Sequence, residues 1–375
     1  MNILFLSNFY NHHQAFISRK LFELTGGQYR FISTQEMPAE RKKLGYQEQT
    51  EPFVYHYGEG QATPAAVQEW IDSADVVIVG TAPERLLDNR KKNRRLIFRY
   101  SEHLLKKGLQ WWKWPIRWFR FHKNNPENAA IYLLCASAYT QKDYKKFGLF
   151  HKRAYHWGYF PECKQYESEN ALMAGKIPTE ILWCGRFLDW KHPDDALTVA
   201  KRLREEGYSF HMSIIGTGNM EVQLIRTVAE QNLDEFVTFL GSMPPEEVRA
   251  RMEQAGIYLF TSDHKEGWGA VLNEAMNSGC AVVACTAAGS TPCLIRHGEN
   301  GMSYSVGDTE GLYQHVKYML DHPEEQTKLG CAAYRTVTEN WNADVAAERL
   351  LILSEKILSG EADPDLFEEG PCSRM

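Results

Sequence analysis

The chain has 375 residues, 43% of them hydrophobic and 24% charged, and carries a formal net charge of −6. That length and balance predict two soluble globular domains, each large enough to bury its own core. No run approaches the roughly eighteen apolar residues of a membrane span, and the eight cysteines form no C-x-x-C pair, which speaks against structural zinc or disulfides and suits a reducing cytoplasm.

The opening residues lack the basic flank and the length of a secretory signal and read as a buried strand, Asn2–Ser7. Further strands are expected at Tyr29–Ser33, Asp75–Gly80, Leu96–Tyr100 and Ala130–Ser137, with helical patterns between them at Gln14–Leu24 and Ala65–Ser73. The β-branched run Asp75-Val-Val-Ile-Val-Gly80 is that of a strand covered on both faces. After the first strand come Asn11, His12, His13 and Gln14. A polar cluster at a strand's carboxyl end suits contact with acceptor or sugar hydroxyls. The same residues also suit a helix cap by Asn11 with the two histidines in solvent.

Between Arg85 and Lys123 stand thirteen Lys or Arg against two acids, leaving −17 on the rest of the chain. Such polarity speaks about partners rather than fold. Within it, residues 106–123 hold six cations and six large aromatics without an acid. That composition suits a surface of anionic lipid headgroups. Two other readings stay open: aromatics packed inward with solvated cations, or single-stranded nucleic acid, for which no recognition motif is present. Pro115 predicts that any amphipathic helix starts near Trp114 and is short.

The second half alternates more cleanly. Strands are expected at Ile181–Arg186, Phe210–Ile215, Phe236–Leu240, Gly256–Thr261 and Ala281–Ala284. Helices are expected at Pro193–Glu206, Glu221–Gln231, after Pro244-Pro245, and from about Gly269 to Ser278. The fold class is therefore α/β, two Rossmann-like domains with parallel sheets facing a central cleft, where ligands meet the carboxyl ends of the strands. The spans are an N-terminal acceptor-side domain at 1–162, a linker at 163–178 and a C-terminal domain at 179–342. A helix at 343–360 packs back toward the first domain, and a frayed tail occupies 361–375.

Four features lie along the C-terminal half. Glu266-Gly267-Trp268-Gly269 opens a strand-to-helix turn with Glu274 eight residues after Glu266; glycine-rich helix starts suit phosphate, and carboxylates there suit sugar and ribose hydroxyls. Arg186 and Lys191 follow a strand and could straddle a diphosphate. Gly216-Thr-Gly218 is a tight turn without the third glycine of a dinucleotide fingerprint. Gly241-Ser242-Met243 is another strand-end turn, open to a planar base. Each has a plain structural reading as a loop, cap or turn.

In this order the four features, with Leu294-Ile-Arg-His-Gly298-Glu-Asn-Gly301 beyond them, resemble the C-terminal domain of family 4-like retaining glycosyltransferases of GT-B architecture. The likeness is strong over about residues 179–320. The N-H-H-Q start, Tyr100-Ser-Glu102-His103 and Ser137-Ala-Tyr-Thr-Gln resemble a bacterial polysaccharide-type branch of that family. The resemblance implies that Arg186 and Lys191 hold the donor diphosphate, Glu266 contacts the transferred sugar and Glu274 the ribose. Backbone at Gly267, Trp268 and Gly269 would then line the sugar and phosphate, Gly216 and Gly218 would lie at the donor, and Gly241, Ser242 and Met243 would flank the base. On the acceptor side it implies His12, His13, and Glu102 or His103 as a base. The loop Gly289-Ser-Thr-Pro-Cys293 departs from the family's Gly-Gly-x-Pro-Glu.

The same resemblance implies a retaining transfer from a nucleotide-sugar donor to a hydroxyl of a glycan or lipid-linked glycan. No cofactor and no metal are expected, nucleic acid is not an expected partner, and the location is cytoplasmic, with residues 106–123 on the inner face of the plasma membrane. Two alternatives are a nucleotide-sugar epimerase of the same architecture and a non-catalytic nucleotide-sugar-binding protein. A dehydrogenase is disfavoured by the missing third glycine.

Overall fold

The computed structural model describes residues 1–38 and 51–375. These form two compact units, Met1–Pro161 with Asn342–Met375, and Glu162–Trp341.

The N-terminal unit is built on a seven-stranded sheet in which every neighbouring pair is parallel. Its strands are β1 (Ile3–Ser7), β2 (Tyr29–Ser33), β3 (Val54–His56), β4 (Val76–Val79), β5 (Ile97–Ser101), β6 (Ile131–Cys135) and β7 (Ala154–His156), in spatial order β3-β2-β1-β4-β5-β6-β7. Strands β1, β4 and β6 are buried throughout, as expected of parallel strands covered on both faces. The order reverses direction between β1 and β4, which fixes the switch point of the sheet. There Gly80 comes so close that a Cβ on it would lie 2.8 Å from Ser7 Oγ.

Part of the basic stretch is structural. Arg90 is fully buried, and its guanidinium donates to the carbonyls of Ile71, Ala74, Asp75 and Leu96. Those carbonyls belong to the end of helix Pro64–Ser73 and the strand entries beside it, where no helical N–H remains to satisfy them. Arg95 caps the same helix end, and Arg99 pairs with Glu84 at 2.8 Å. Of the cations in residues 85–99, Arg90, Lys91, Arg95 and Arg99 are thus engaged by the fold, whereas Arg85, Lys92 and Arg94 are exposed.

The C-terminal unit has a six-stranded parallel sheet of β8 (Ile177–Cys184), β9 (His211–Ile215), β10 (Val237–Gly241), β11 (Ala255–Phe260), β12 (Ala281–Cys285) and β13 (Met302–Tyr304). The order is β10-β9-β8-β11-β12-β13, so its switch point lies between β8 and β11. One face is closed by helices Pro193–Glu205, Glu221–Glu230 and Thr309–Asp321, whose apolar stripes join Ile181, Ile214 and Val283 in a single core.

Three expectations are corrected. The segment 163–178 is not a plain linker: it holds a helix, Glu169–Ala174, capped by Ser168, and β8 already begins at Ile177. The tail 361–375 is not frayed, because β7 is an edge strand with unmet backbone groups. His156 N–H donates to Ser373 O, Cys372 N–H returns to His156 O, and Tyr155 hydroxyl donates to Pro364 O. The helix carrying Glu274 runs Val271–Asn277, which puts that glutamate in its first turn rather than further along. The last long helix, Ala343–Leu358, packs on helix His12–Leu24 within the N-terminal unit.

Candidate active site

In an open parallel sheet, ligands bind at the carboxyl ends of the strands flanking the switch point. In the C-terminal unit those ends carry two loops, one after β8 and one after β11. The first holds Arg186 and Lys191, the second Glu266.

The two loops are tied together. Lys191 Nζ lies 2.5 Å from Glu266 Oε2, with both side chains mostly buried. Ser262 hydroxyl donates to the same carboxylate oxygen at 3.2 Å. Thr261 hydroxyl donates to Lys191 O and accepts from Trp183 Nε1, while Asp263 N–H donates to Trp190 O. A buried side-chain network thus holds the turn Asp189–Lys191 against the end of β11. His192, directly after Lys191, has φ +47° and opens helix Pro193–Glu205. A non-glycine residue there stores on the order of 1–3 kcal/mol, a strain found at sites the surroundings over-determine.

Glu274 stands close by. Burial raises the Glu274 carboxyl above its ordinary range, opposed by Arg249 and reinforced by Glu162. Among the described residues no hydrogen bond reaches that carboxylate. Cys184, at the end of β8, senses both charges: burial pushes its thiol up to about 12, Glu274 adds to this, and Lys191 opposes it. Lys191 and Glu266 thus pair at the switch point, and Glu274 sits in the first turn of the helix that follows, near enough to the end of β8 for its charge to act on Cys184. Arg186 lies on the same loop, exposed to solvent.

The glycines have a packing reason that the sequence patterns do not announce. A Cβ on Gly216 would lie 1.9 Å from Gly185 O, and one on Gly218 2.5 Å from Phe187 O. The Gly185–Phe187 loop is laid directly on the Gly216–Gly218 turn, bonded through Gly185 N–H to Ile215 O and Phe187 N–H to Thr217 O. These glycines set the position of the loop that bears Arg186. Gly241 has φ +68° at the end of β10, with Ser242 exposed and Met243 half-buried beside it. Gly267 is buried, and Gly269, at φ +88°, faces the Phe260 ring, which a Cβ would strike at 2.4 Å. The side chain of Trp268 is core: it is buried, donates to Asn273 Oδ1 at 2.8 Å and packs on Trp341. Only its backbone is left for a ligand.

His192, Asp194 and Asp195 are the one group of metal-ligand type found among the described residues, their ligand atoms all within 4.8 Å of one another. Burial pushes the Asp195 carboxyl up to about 6, with His192 opposing and Asp194 adding.

In the N-terminal unit Asn11 caps helix His12–Leu24 by accepting from His13 N–H at 2.9 Å. His12 and His13 thus occupy its first turn, His12 exposed and His13 stacked on Tyr159 at 4.9 Å. Glu102 and His103, just past β5, go different ways. Glu102 accepts from Tyr159 hydroxyl and pairs with Lys106. His103 Nδ1 lies 2.6 Å from Asp143 Oδ2, and Asp143 is itself fixed by the N–H groups of Leu104 and Leu105. Burial raises the Asp143 carboxyl, but the bonds from His103 and the two N–H groups together bring it below its ordinary range. Asp143 and Tyr159 escape a reading of the sequence: each acts across tens of residues, and no local spacing announces them.

Residues 168–336, at the heart of this C-terminal unit, match the sequence model of the glycosyl transferases group 1 family. The match lies within the C-terminal unit and covers less than half of the chain. Among curated proteins the chain is similar to the amylovoran biosynthesis glycosyltransferase AmsK of Erwinia amylovora, 28% identical over 185 residues, which cover 48% of this chain and 45% of the relative. It is also similar to glycogen synthase of Mycobacterium tuberculosis, 28% identical over 189 residues, 50% of this chain and 45% of that protein. The chain spans about half the length of the curated relatives it matches. Over nearly its whole length it shares the fold of Anabaena Alr3699/HepE, solved in complex with UDP, with TM-score 0.70 at 16% identity, covering 95% of this chain and 100% of that one. The two-unit α/β fold expected from the sequence is found, and the C-terminal unit carries the expected similarity to glycosyltransferases.

Proposed function

We propose that the protein is a retaining, metal-independent glycosyltransferase that moves a sugar from a nucleoside-diphosphate sugar to a hydroxyl of a glycan or lipid-linked glycan. The observation that carries this reading is the Lys191–Glu266 pair at the switch point of a C-terminal unit that matches the glycosyl transferases group 1 model, with Glu274 in the first turn of the next helix. The Anabaena structure of the same fold was solved with UDP, which supports a nucleotide donor here.

The reaction breaks an anomeric C–O bond and leaves a nucleoside diphosphate. Lys191 is assigned to the negative charge that develops on that leaving group, a stabilisation that grows toward the transition state. Arg186, exposed on the same loop, offers a second cation to the diphosphate. Glu266 orients Lys191 and accepts from hydroxyls of the transferred sugar. Glu274 receives the ribose hydroxyls, which would supply hydrogen bonds its buried carboxylate otherwise lacks. The acceptor oxygen attacks from the face the diphosphate leaves, so configuration is retained, and its proton passes to the departing phosphate or to a base. Of the acceptor-side residues, His103 is preferred as that base: Asp143 fixes its Nδ1, and Nε2 is the remaining nitrogen. Glu102 is already engaged by Tyr159 and Lys106. His12 and His13 are assigned to acceptor hydroxyls. The protein is proposed to work in the cytoplasm at an inner membrane face.

Incubation with a panel of nucleoside-diphosphate sugars and hydroxyl acceptors, with product configuration read by NMR, tests the reading. A transferred sugar with its donor configuration supports it. An epimerised nucleotide sugar, or tight donor binding without turnover, would instead favour the epimerase or the non-catalytic alternative. Activity lost to EDTA and restored by a divalent cation would overturn metal independence and direct attention to His192, Asp194 and Asp195.

A further inference from the structure

The segment after β5 is unlike the rest of the surface. From His103 to Pro126 there is no acidic residue. A turn Trp111–Lys113 leads into helix Trp114–Asn124, with Pro115 in its first turn. One side of the helix is anchored: Trp114 stacks on Phe147 at 4.3 Å, Phe121 packs edge-on against the same ring at 4.7 Å, and both join the cluster of Leu105, Leu133 and Tyr144. Residues 114 and 121 are seven apart, so they share one face of the helix. Arg117, near that face, ties the preceding loop by donating to Leu109 O and Gln110 Oε1.

The opposite side is apolar and exposed. Trp111 is 76% accessible, Ile116 73%, Phe119 65% and Trp112 59%. Lys113, Arg120 and Lys123 are exposed or half-exposed among them. The packing reading of this segment is thus realised on one face of the helix, while the other face is left exposed. Large apolar side chains at this level of exposure, gathered on one short segment, mark an interaction site.

We propose that this face docks on an anionic phospholipid bilayer, with Trp111, Trp112, Ile116 and Phe119 entering the boundary between headgroups and acyl chains. Lys113, Arg120 and Lys123 then meet lipid phosphates at the level where such side chains settle. Charge selects the occupant. A second copy of the chain would bring the same cations face to face. Single-stranded nucleic acid needs parallel platforms for its bases, but Trp111 and Trp112 stand at 86° to each other and Trp118 is already stacked on His122. Ile116 offers no ring at all. The proposal does not depend on the transferase reading, since it concerns binding alone.

The test is flotation of the full chain with phosphatidylcholine vesicles, with and without phosphatidylglycerol. Two variants are compared with the wild type, Trp111→Ser/Trp112→Ser/Ile116→Ser/Phe119→Ser and Lys113→Gln/Arg120→Gln/Lys123→Gln. The wild type is expected to float with anionic vesicles, and less so as salt rises. Removing the three cations should cut vesicle affinity by about a hundredfold, and the serine variant should remain in the soluble fraction. Circular dichroism and donor hydrolysis should be unchanged in both, because Trp114 and Phe121 still anchor the helix. Equal flotation of the serine variant would overturn the proposal. So would a wild type that ignores vesicles, or one that binds single-stranded oligonucleotides and not lipid.

Discussion

Lys191 and Glu266 come from loops after different strands, yet their charged groups lie 2.5 Å apart. β8 and β11 are neighbours on either side of the switch point, so the loops that leave them must face each other. A pair this close and mostly buried is held for a purpose that outlasts its own modest stabilisation. In the proposed reaction the ammonium serves the departing diphosphate and the carboxylate fixes where it points.

Lys191→Ala should lower kcat by about a hundredfold to a thousandfold, the scale of losing one preorganised electrostatic contact. Circular dichroism should be unaltered. Lys191→Arg should recover little, because a planar fork cannot replace a point charge against Glu266. Steady-state kinetics on a donor that the wild type turns over checks both.

Glu274→Gln should separate binding from stability. Loss of hydrogen bonds to a charged group predicts donor binding weaker by about 1.5–3 kcal/mol. Stability of the free protein should move the other way. The folded carboxyl is raised above its unfolded value, so ionising it penalises the native state. That penalty is absent below the unfolded pKa and grows as pH rises through the folded one. The variant should therefore melt above the wild type at neutral pH and converge with it in acid, as thermal melts across the pH range would show.

Gly216→Ala should disturb a loop it does not belong to. Its added Cβ meets Gly185 O, a backbone atom that can yield only by shifting the turn that carries Arg186. A destabilisation of about 1–3 kcal/mol is expected from such overpacking, together with weakened donor binding. Denaturant melts and calorimetric donor titration read the two effects.

Asp143→Asn should act through His103. Removing the carboxylate 2.6 Å from Nδ1 frees the ring to turn, so kcat should fall while KM for the donor is little changed. His103→Ala should cost about 10²–10⁴-fold in turnover if it is the base. A kcat in Asp143→Asn equal to that of the wild type would mark Asp143 as without a part in placing His103.

Much of this is legible in the sequence. The buried strands announce themselves through continuous apolar runs, and the helix starts at Pro193 and Pro245 through proline in the first turn. The strands that escape notice, β3, β7 and β13, are three residues each and lie at sheet edges. So short a run holds too few alternations to carry a period. The spacing of Glu266 and Glu274 is readable as a pattern, whereas the reason for Gly216 and Gly218 is not. A glycine kept for close backbone approach looks the same in sequence as one kept for phosphate. The Asp143–His103 pair is hidden for a different reason, since about 40 positions of chain separate partners that only the β5–β6 pairing brings near.

The central claim, that Lys191 and Glu274 grip an activated sugar's nucleoside diphosphate, is met most directly by calorimetric titration. The wild type, Lys191→Ala and Glu274→Ala would each be titrated with the same set of nucleoside diphosphates. Saturable binding of at least one by the wild type, weakened in both variants, is the predicted result. Equal affinity in all three proteins would contradict it.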